Sequence, residues 1–163
     1  MLPCHTNDKE MLVFCQKRAV FKPVTTKAPK MSDRSSTRPY RILLAEDDEV
    51  NQDIVRAYLA DMYNVKLIVT SDGRQALEAA LADRYDLMIF DQQMPHITGD
   101  RVLLHLRAGR SCNAATPVIR FTAAADARSV EIKRVGGVAE VTLPKPLRKE
   151  TFVSTVKAML GAV

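Results

Sequence analysis

The sequence contains no tryptophan, and aromatic residues make up only 6% of it. Its core must therefore be built mainly from Leu, Ile, Val, Ala and Met. There are three cysteines, Cys4, Cys15 and Cys112, and no Cys-x-x-Cys pair. An odd, scattered set argues against a disulfide framework and fits a reducing compartment, so a cytoplasmic location is expected. Cys4, His5 and Cys15 match no zinc-ligand spacing. Long apolar runs are missing too. The early run Met11 to Phe14 is too short for a signal peptide or a membrane span, so no membrane role is expected. No internal repeat or low-complexity segment stands out.

An even balance of charge is also lacking. The net charge is +5, from 24 Lys/Arg and 19 Asp/Glu. Residues 1–39 hold eight of the basic residues and three of the acids, so they carry the whole excess, and residues 40–163 are neutral. The basic balance thus says nothing about a nucleic-acid surface on the folded part. Residues 1–39 mix Lys, Thr, Ser and Pro without a sustained period, and they read as a basic, disordered tail. Met31 is a plausible alternative start.

From Tyr40 onward the texture changes. Apolar runs of strand length occur at Ile42 to Ala45, Val65 to Val69, Leu87 to Phe90, Val118 to Phe121 and Val141 to Leu143. Between and after them lie helix-period segments at Val50 to Met62, Gly73 to Leu81, Gly99 to Ala108, Asp126 to Val135 and Arg148 to Leu160. In the first, Ile54, Tyr58 and Met62 share one face; in the last, Phe152, Val156 and Met159/Leu160 do so. Asp72-Gly73, Pro95, Gly99, Pro117 and Gly136-Gly137 punctuate the pattern. Five βα units with apolar strands predict a parallel sheet flanked by helices, filling residues 40–163.

In such a sheet, ligands gather at the carboxyl ends of the strands. Glu46, Asp47 and Asp48 follow the first strand. Asp91 follows the third, Thr122 ends the fourth, and Lys145 follows the fifth between two prolines. Crowded carboxylates repel unless a proton or a cation relieves them. Magnesium suits best, because it is hard, takes oxygen ligands and bridges to phosphate. Metal, ammonium and hydroxyl together make a site for a phosphoryl group, with Asp91 as the oxygen nucleophile. Asp48 is better read as the cap of the first helix. Thr122 and Lys145 would each be unremarked surface or strand residues if they stood alone. His96 and His105 read as loop and helix-surface residues.

The run Ile42-Leu43-Leu44-Ala45-Glu46-Asp47-Asp48-Glu49-Val50-Asn51-Gln52 resembles the first strand and acidic turn of a response regulator receiver domain. Asp86-Leu87-Met88-Ile89-Phe90-Asp91-Gln92-Gln93-Met94-Pro95 resembles its phosphoacceptor strand. Ile119-Arg120-Phe121-Thr122-Ala123 resembles the strand with the switch hydroxyl, and Leu143-Pro144-Lys145-Pro146 resembles the lysine turn. The resemblance implies a flavodoxin-like (CheY-like) doubly wound (βα)5 fold, with a five-stranded parallel sheet of order 2-1-3-4-5. It implies that Asp91 accepts a phosphoryl group from a histidine kinase or histidine phosphotransfer protein. Magnesium would be held by Asp47, Asp91 and the Gln93 backbone carbonyl, with Glu46 acting through water. Lys145 would pair with Asp91, and Thr122 would move toward the phosphoryl group. That movement would reshape the face made by the fourth helix, fifth strand and fifth helix, where an output protein would bind. The resemblance also favours a cis Lys145-Pro146 bond.

One position departs from the family pattern: Thr142 stands where an aromatic switch is usual, and Phe121, next to Thr122, reads as core. No DNA-binding domain is expected after the fifth helix, and no enzymatic activity beyond self-phosphorylation and slow self-dephosphorylation. Two other readings stay open. One is the receiver of a hybrid sensor kinase. The other is a magnesium-dependent phosphohydrolase with an aspartyl nucleophile, although such enzymes place an acid/base Asp where this chain has Gln93.

Overall fold

The computed structural model describes residues 38–109, 111–123 and 130–161. The tail reading, apart from its last two residues, lies outside them. The strands are β1 (Tyr40–Ala45), β2 (Val65–Thr70), β3 (Leu87–Asp91), β4 (Val118–Thr122), β5 (Glu131–Val135) and β6 (Val138–Pro144). The helices are α1 (Glu49–Leu59), α2 (Gly73–Ala82), α3 (Gly99–Ala108) and α4 (Lys149–Gly161). The sheet order is β2-β1-β3-β4-β6-β5, with β5 antiparallel to β6 and every other pairing parallel.

Strand alternation sorts the apolar residues into two layers. Ile42, Leu44, Leu87, Ile89, Ile119, Phe121, Val141 and Leu143 face one side and pack with α1 and α4. Leu43, Ala45, Met88, Phe90 and Val118 face the other and pack with α2 and α3. Helix α4 buries Phe152, Val156, Met159 and Leu160, the face that its periodicity predicts. Helix α1 is rotated from expectation and ends at Leu59, short of Met62: its buried positions are Gln52, Val55 and Leu59, Tyr58 packs at the margin, and Met62 packs there from beyond the helix end.

The five-stranded sheet and the helix expected over Asp126 to Val135 need correction. Residues 131–135 form a sixth strand, and residues 124–129 lie outside those described. Part of the physical reason is local. Gly136 and Gly137 both take positive φ, 58° and 85°, which suits a two-residue hairpin turn. Residues on either side alternate between apolar and polar, as in Val130-Glu131-Ile132-Lys133 and Glu140-Val141-Thr142-Leu143. The same end of the sheet is polar on its α3 side. Arg120, Glu140 and Thr142 point there by alternation, and among the described residues no helix beyond α3 covers them. Arg120 instead bonds Asp100 of α3 at 2.7 Å and the Thr142 hydroxyl at 3.3 Å. The expected output face therefore contains a strand where a fourth helix was anticipated.

The loop between α3 and β4 is locked by Asn113, which is fully buried. Its carboxamide oxygen accepts from the Tyr85 N–H (2.9 Å) and the Thr116 hydroxyl (3.0 Å), and its amide donates to the Ala80 and Asp83 carbonyls (2.6 Å each). At the start of the described chain, Arg38 makes a two-bond contact with Asp86, at 2.6 and 3.0 Å.

Candidate functional site

Parallel register carries the strand ends to one edge. Ala45 pairs with Phe90, Asp91 with Phe121, and Phe121 with Leu143. Glu46, Asp91, Thr122 and Lys145 therefore emerge together, although Glu46 and Lys145 are 99 residues apart. Local chemistry ends each strand where it must. Asp48 caps α1 by accepting from the Asn51 N–H at 2.9 Å, which breaks the strand direction immediately after Glu46 and Asp47. Gly99 lets α3 start against the Asp91 turn, because a Cβ there would lie 2.3 Å from the Asp91 carbonyl oxygen. The Lys145-Pro146 bond is cis, as the resemblance favours, and the Lys145 N–H donates to the Thr122 carbonyl at 2.8 Å.

The side chains converge on the Lys145 ammonium. It donates to Asp91 Oδ2 at 2.7 Å and to Glu46 Oε1 and Oε2 at 3.0 and 2.9 Å. Glu46 is fully buried and Asp91 nearly so, whereas Asp47 is exposed. One carboxylate oxygen from each of Glu46, Asp47 and Asp91 lies within 4.8 Å of the others. Gln93 is exposed, and its N–H donates to Asp91 Oδ1 at 3.3 Å. Thr122 is buried at the end of β4, one residue beyond the partner of Asp91. All six expected site residues thus lie along one edge.

Burial pushes the Glu46 carboxyl above its ordinary value. The Asp91 charge adds to this, against the pull of hydrogen bonds from Lys145 and Asn51. Burial works the other way on Lys145, but hydrogen bonds to Asp91 and Glu46 outweigh it and hold the ammonium above its usual range. Three carboxylates against one ammonium leave an excess of negative charge. At the separations seen, each like-charge pair repels by about 3–4 kcal/mol at an interface-like dielectric. This donor set is all oxygen and partly exposed through Asp47, which suits a hard divalent cation.

Sequence reasoning missed three features. Glu46 shares Lys145 with Asp91. Asn51 donates to Glu46 Oε1 at 3.1 Å, and Gln52, buried beneath, donates to the Glu46 carbonyl at 2.7 Å. The signal was the Asn51-Gln52 pair in the first turn of α1, where helix geometry returns polar side chains toward the strand end. His96 sits in an exposed loop and His105 on the exposed face of α3, both outside the site.

The family profile for the response regulator receiver domain matches residues 42–157. The chain is 37% identical over 123 residues to the transcriptional regulatory protein CpxR of Klebsiella pneumoniae, an overlap covering 74% of this chain and 49% of CpxR. The chain therefore spans about half the length of that relative. It is 32% identical over 123 residues to the polar-differentiation response regulator DivK of Brucella anthropi, covering 76% of this chain and 98% of DivK. Among solved structures, it resembles the receiver domain of the sensor histidine kinase PA1611 from Pseudomonas aeruginosa, which has a magnesium ion coordinated in its active-site cleft. That match has 26% identity and a TM-score of 0.62, and it covers 76% of this chain and 98% of the other. Among the described residues, no helix is long and apolar enough to cross a membrane.

Proposed function

The chain belongs to the response regulator receiver family, and we propose that within it Asp91 is the phosphoryl acceptor of a magnesium-dependent signalling switch. One observation carries this reading: Lys145 Nζ stands 2.7 Å from Asp91 Oδ2, inside a cluster of three carboxylates. An ammonium so placed holds one Asp91 carboxylate oxygen in a fixed direction. It is also positioned to meet negative charge on an incoming phosphoryl group.

The step has simple balance. An Asp91 carboxylate oxygen forms a bond to phosphorus as the bond from phosphorus to the donor imidazole of a histidine kinase or phosphotransfer protein breaks. The departing imidazole takes up a proton. Asp47, Asp91 and the Gln93 carbonyl would hold magnesium, with Glu46 acting through water. When bound, the ion supplies positive charge to offset the phosphoryl oxygens. Lys145 then pairs with the phosphoryl oxygens, and the Thr122 hydroxyl donates to them. A signal is passed on because this pairing favours one of two arrangements of the β4 and β6 ends.

Gln93 supports a switch over a hydrolase, because a carboxamide cannot act as the acid/base that a phosphohydrolase needs two residues beyond its nucleophile. The likeness to the PA1611 receiver favours a second reading with the same site, namely service as the receiver of a sensor kinase. The test is intact mass after incubation with a small acyl phosphate and magnesium. Wild type should gain one phosphoryl group, and Asp91→Asn should gain none. Sustained turnover of a phosphate ester, or equal labelling of Asp91→Asn, would overturn the proposal.

A further inference from the structure

Among the described residues strand β5 is the outer strand of the sheet, and all five of its residues are exposed. Ile132 is 73% exposed, an unusual state for an isoleucine in a strand, and Val130 and Val135 flank it at 38% and 50%. An uncovered edge strand with apolar side chains is a template for pairing with another strand.

The hairpin fixes which backbone groups point outward. With a two-residue turn at Gly136-Gly137, the flanking pair Val135–Val138 is hydrogen-bonded within the hairpin. Hydrogen-bonded and open pairs then alternate. Lys133–Glu140 and Glu131–Thr142 are bonded pairs, while Arg134–Ala139 and Ile132–Val141 are open ones. The N–H and C=O groups of Ile132 and Arg134 therefore face away from β6, and those of Val130 continue the series.

A second copy of the same strand can pair antiparallel only in registers that oppose these outward residues. Centring the two-fold on Arg134 puts two guanidinium groups face to face and carries the pairing into the Gly-Gly turn. Centring it on Ile132 does the reverse. Ile132 meets Ile132 of the second copy, and Val130 meets Arg134. Glu131 then stands opposite Lys133 and Lys133 opposite Glu131. These last pairs fall at the open positions, where cross-strand side chains are closest. Glu131 and Lys133 already form an ion pair within one chain at 2.8 Å, both about half exposed. The dimer would extend this into an alternating ring of four charges.

We infer that this chain self-associates through β5, joining two sheets edge to edge across a two-fold axis at Ile132. The occupant is a second copy because the strand is complementary to itself in charge, in apolar content and in hydrogen-bond phase. The inference does not depend on the phosphoryl chemistry of the site.

The experiment is sedimentation velocity on the full chain over a range of concentrations. Wild type should show a monomer–dimer equilibrium. Ile132→Pro removes an N–H that β6 does not use, so the hairpin survives while the dimer is lost. Circular dichroism would check that the monomer stays folded. Glu131→Lys and Lys133→Glu should each raise the dimer dissociation constant by roughly tenfold, and the double exchange should restore it. A wild type that stays monomeric at all concentrations overturns the inference. So does a dimer that persists in Ile132→Pro, or a double exchange no better than either single change.

Discussion

Lys145 and Glu46 share both carboxylate oxygens of the glutamate, at 3.0 and 2.9 Å, while the same ammonium reaches Asp91. The lysine therefore does more than attend the acceptor: it neutralises a fully buried carboxyl. Lys145→Met should destabilise the protein by about 1–3 kcal/mol, because Glu46 loses a charged partner it cannot replace with water. A divalent cation should bind the variant more tightly than wild type and recover part of the loss. Chemical denaturation with and without millimolar magnesium measures both effects.

Gly99 is held by the backbone of Asp91 rather than by its own conformation. A Cβ would meet the Asp91 carbonyl oxygen at 2.3 Å, and that oxygen is backbone at the end of β3 rather than the far end of a flexible side chain. Gly99→Ala should cost about 1–3 kcal/mol. It should also slow labelling by an acyl phosphate, since relief of the clash shifts the acceptor itself. A variant with wild-type stability and labelling rate would show that the contact is easily relaxed.

Asn113 offers a stability test far from the site. It bonds four partners with no exposure to water. Asn113→Ala leaves buried backbone groups of Tyr85 and Ala80 unpaired, and the expected loss is about 2–4 kcal/mol in urea denaturation. Phosphoryl labelling at saturating donor should be unchanged at a temperature where the variant is folded.

Asp86 gives the pH dependence. Burial alone would raise its carboxyl, but hydrogen bonds from Arg38 and from the Arg41 N–H outweigh burial and hold it below the usual range. A depressed folded value means that protonation costs stability. The contribution is complete above the unfolded carboxyl value near ~3.9 and is lost as pH falls through the lower folded value. Asp86→Asn should therefore be less stable than wild type at pH 7 and approach it in strong acid. Guanidinium denaturation at a series of pH values would show the two curves converging, and a constant gap would refute the assignment.

Much of this protein was determined by its sequence alone. Apolar runs of strand length separated by capped helix-period segments fix a βα repeat, since those runs can be buried only in a sheet covered on both faces. Strand ends carry Glu46, Asp47, Asp91, Thr122 and Lys145, and the parallel rule places them at one edge. Residue spacing also singled out the Asp48 cap and the buried face of α4. Only the tertiary structure decided that Glu46 and Asp91 share one ammonium, because that depends on four strands, β1, β3, β4 and β6, in register and on a contact between residues 99 apart in the chain. It alone decided the course of residues 131–135 as well. Their alternation and the Gly136-Gly137 turn favour a strand, whereas the preceding three βα units lead one to expect a helix. That conflict is resolved by the polar α3-side face of β4 and β6, where Arg120, Glu140 and Thr142 offer a helix no apolar surface on which to pack.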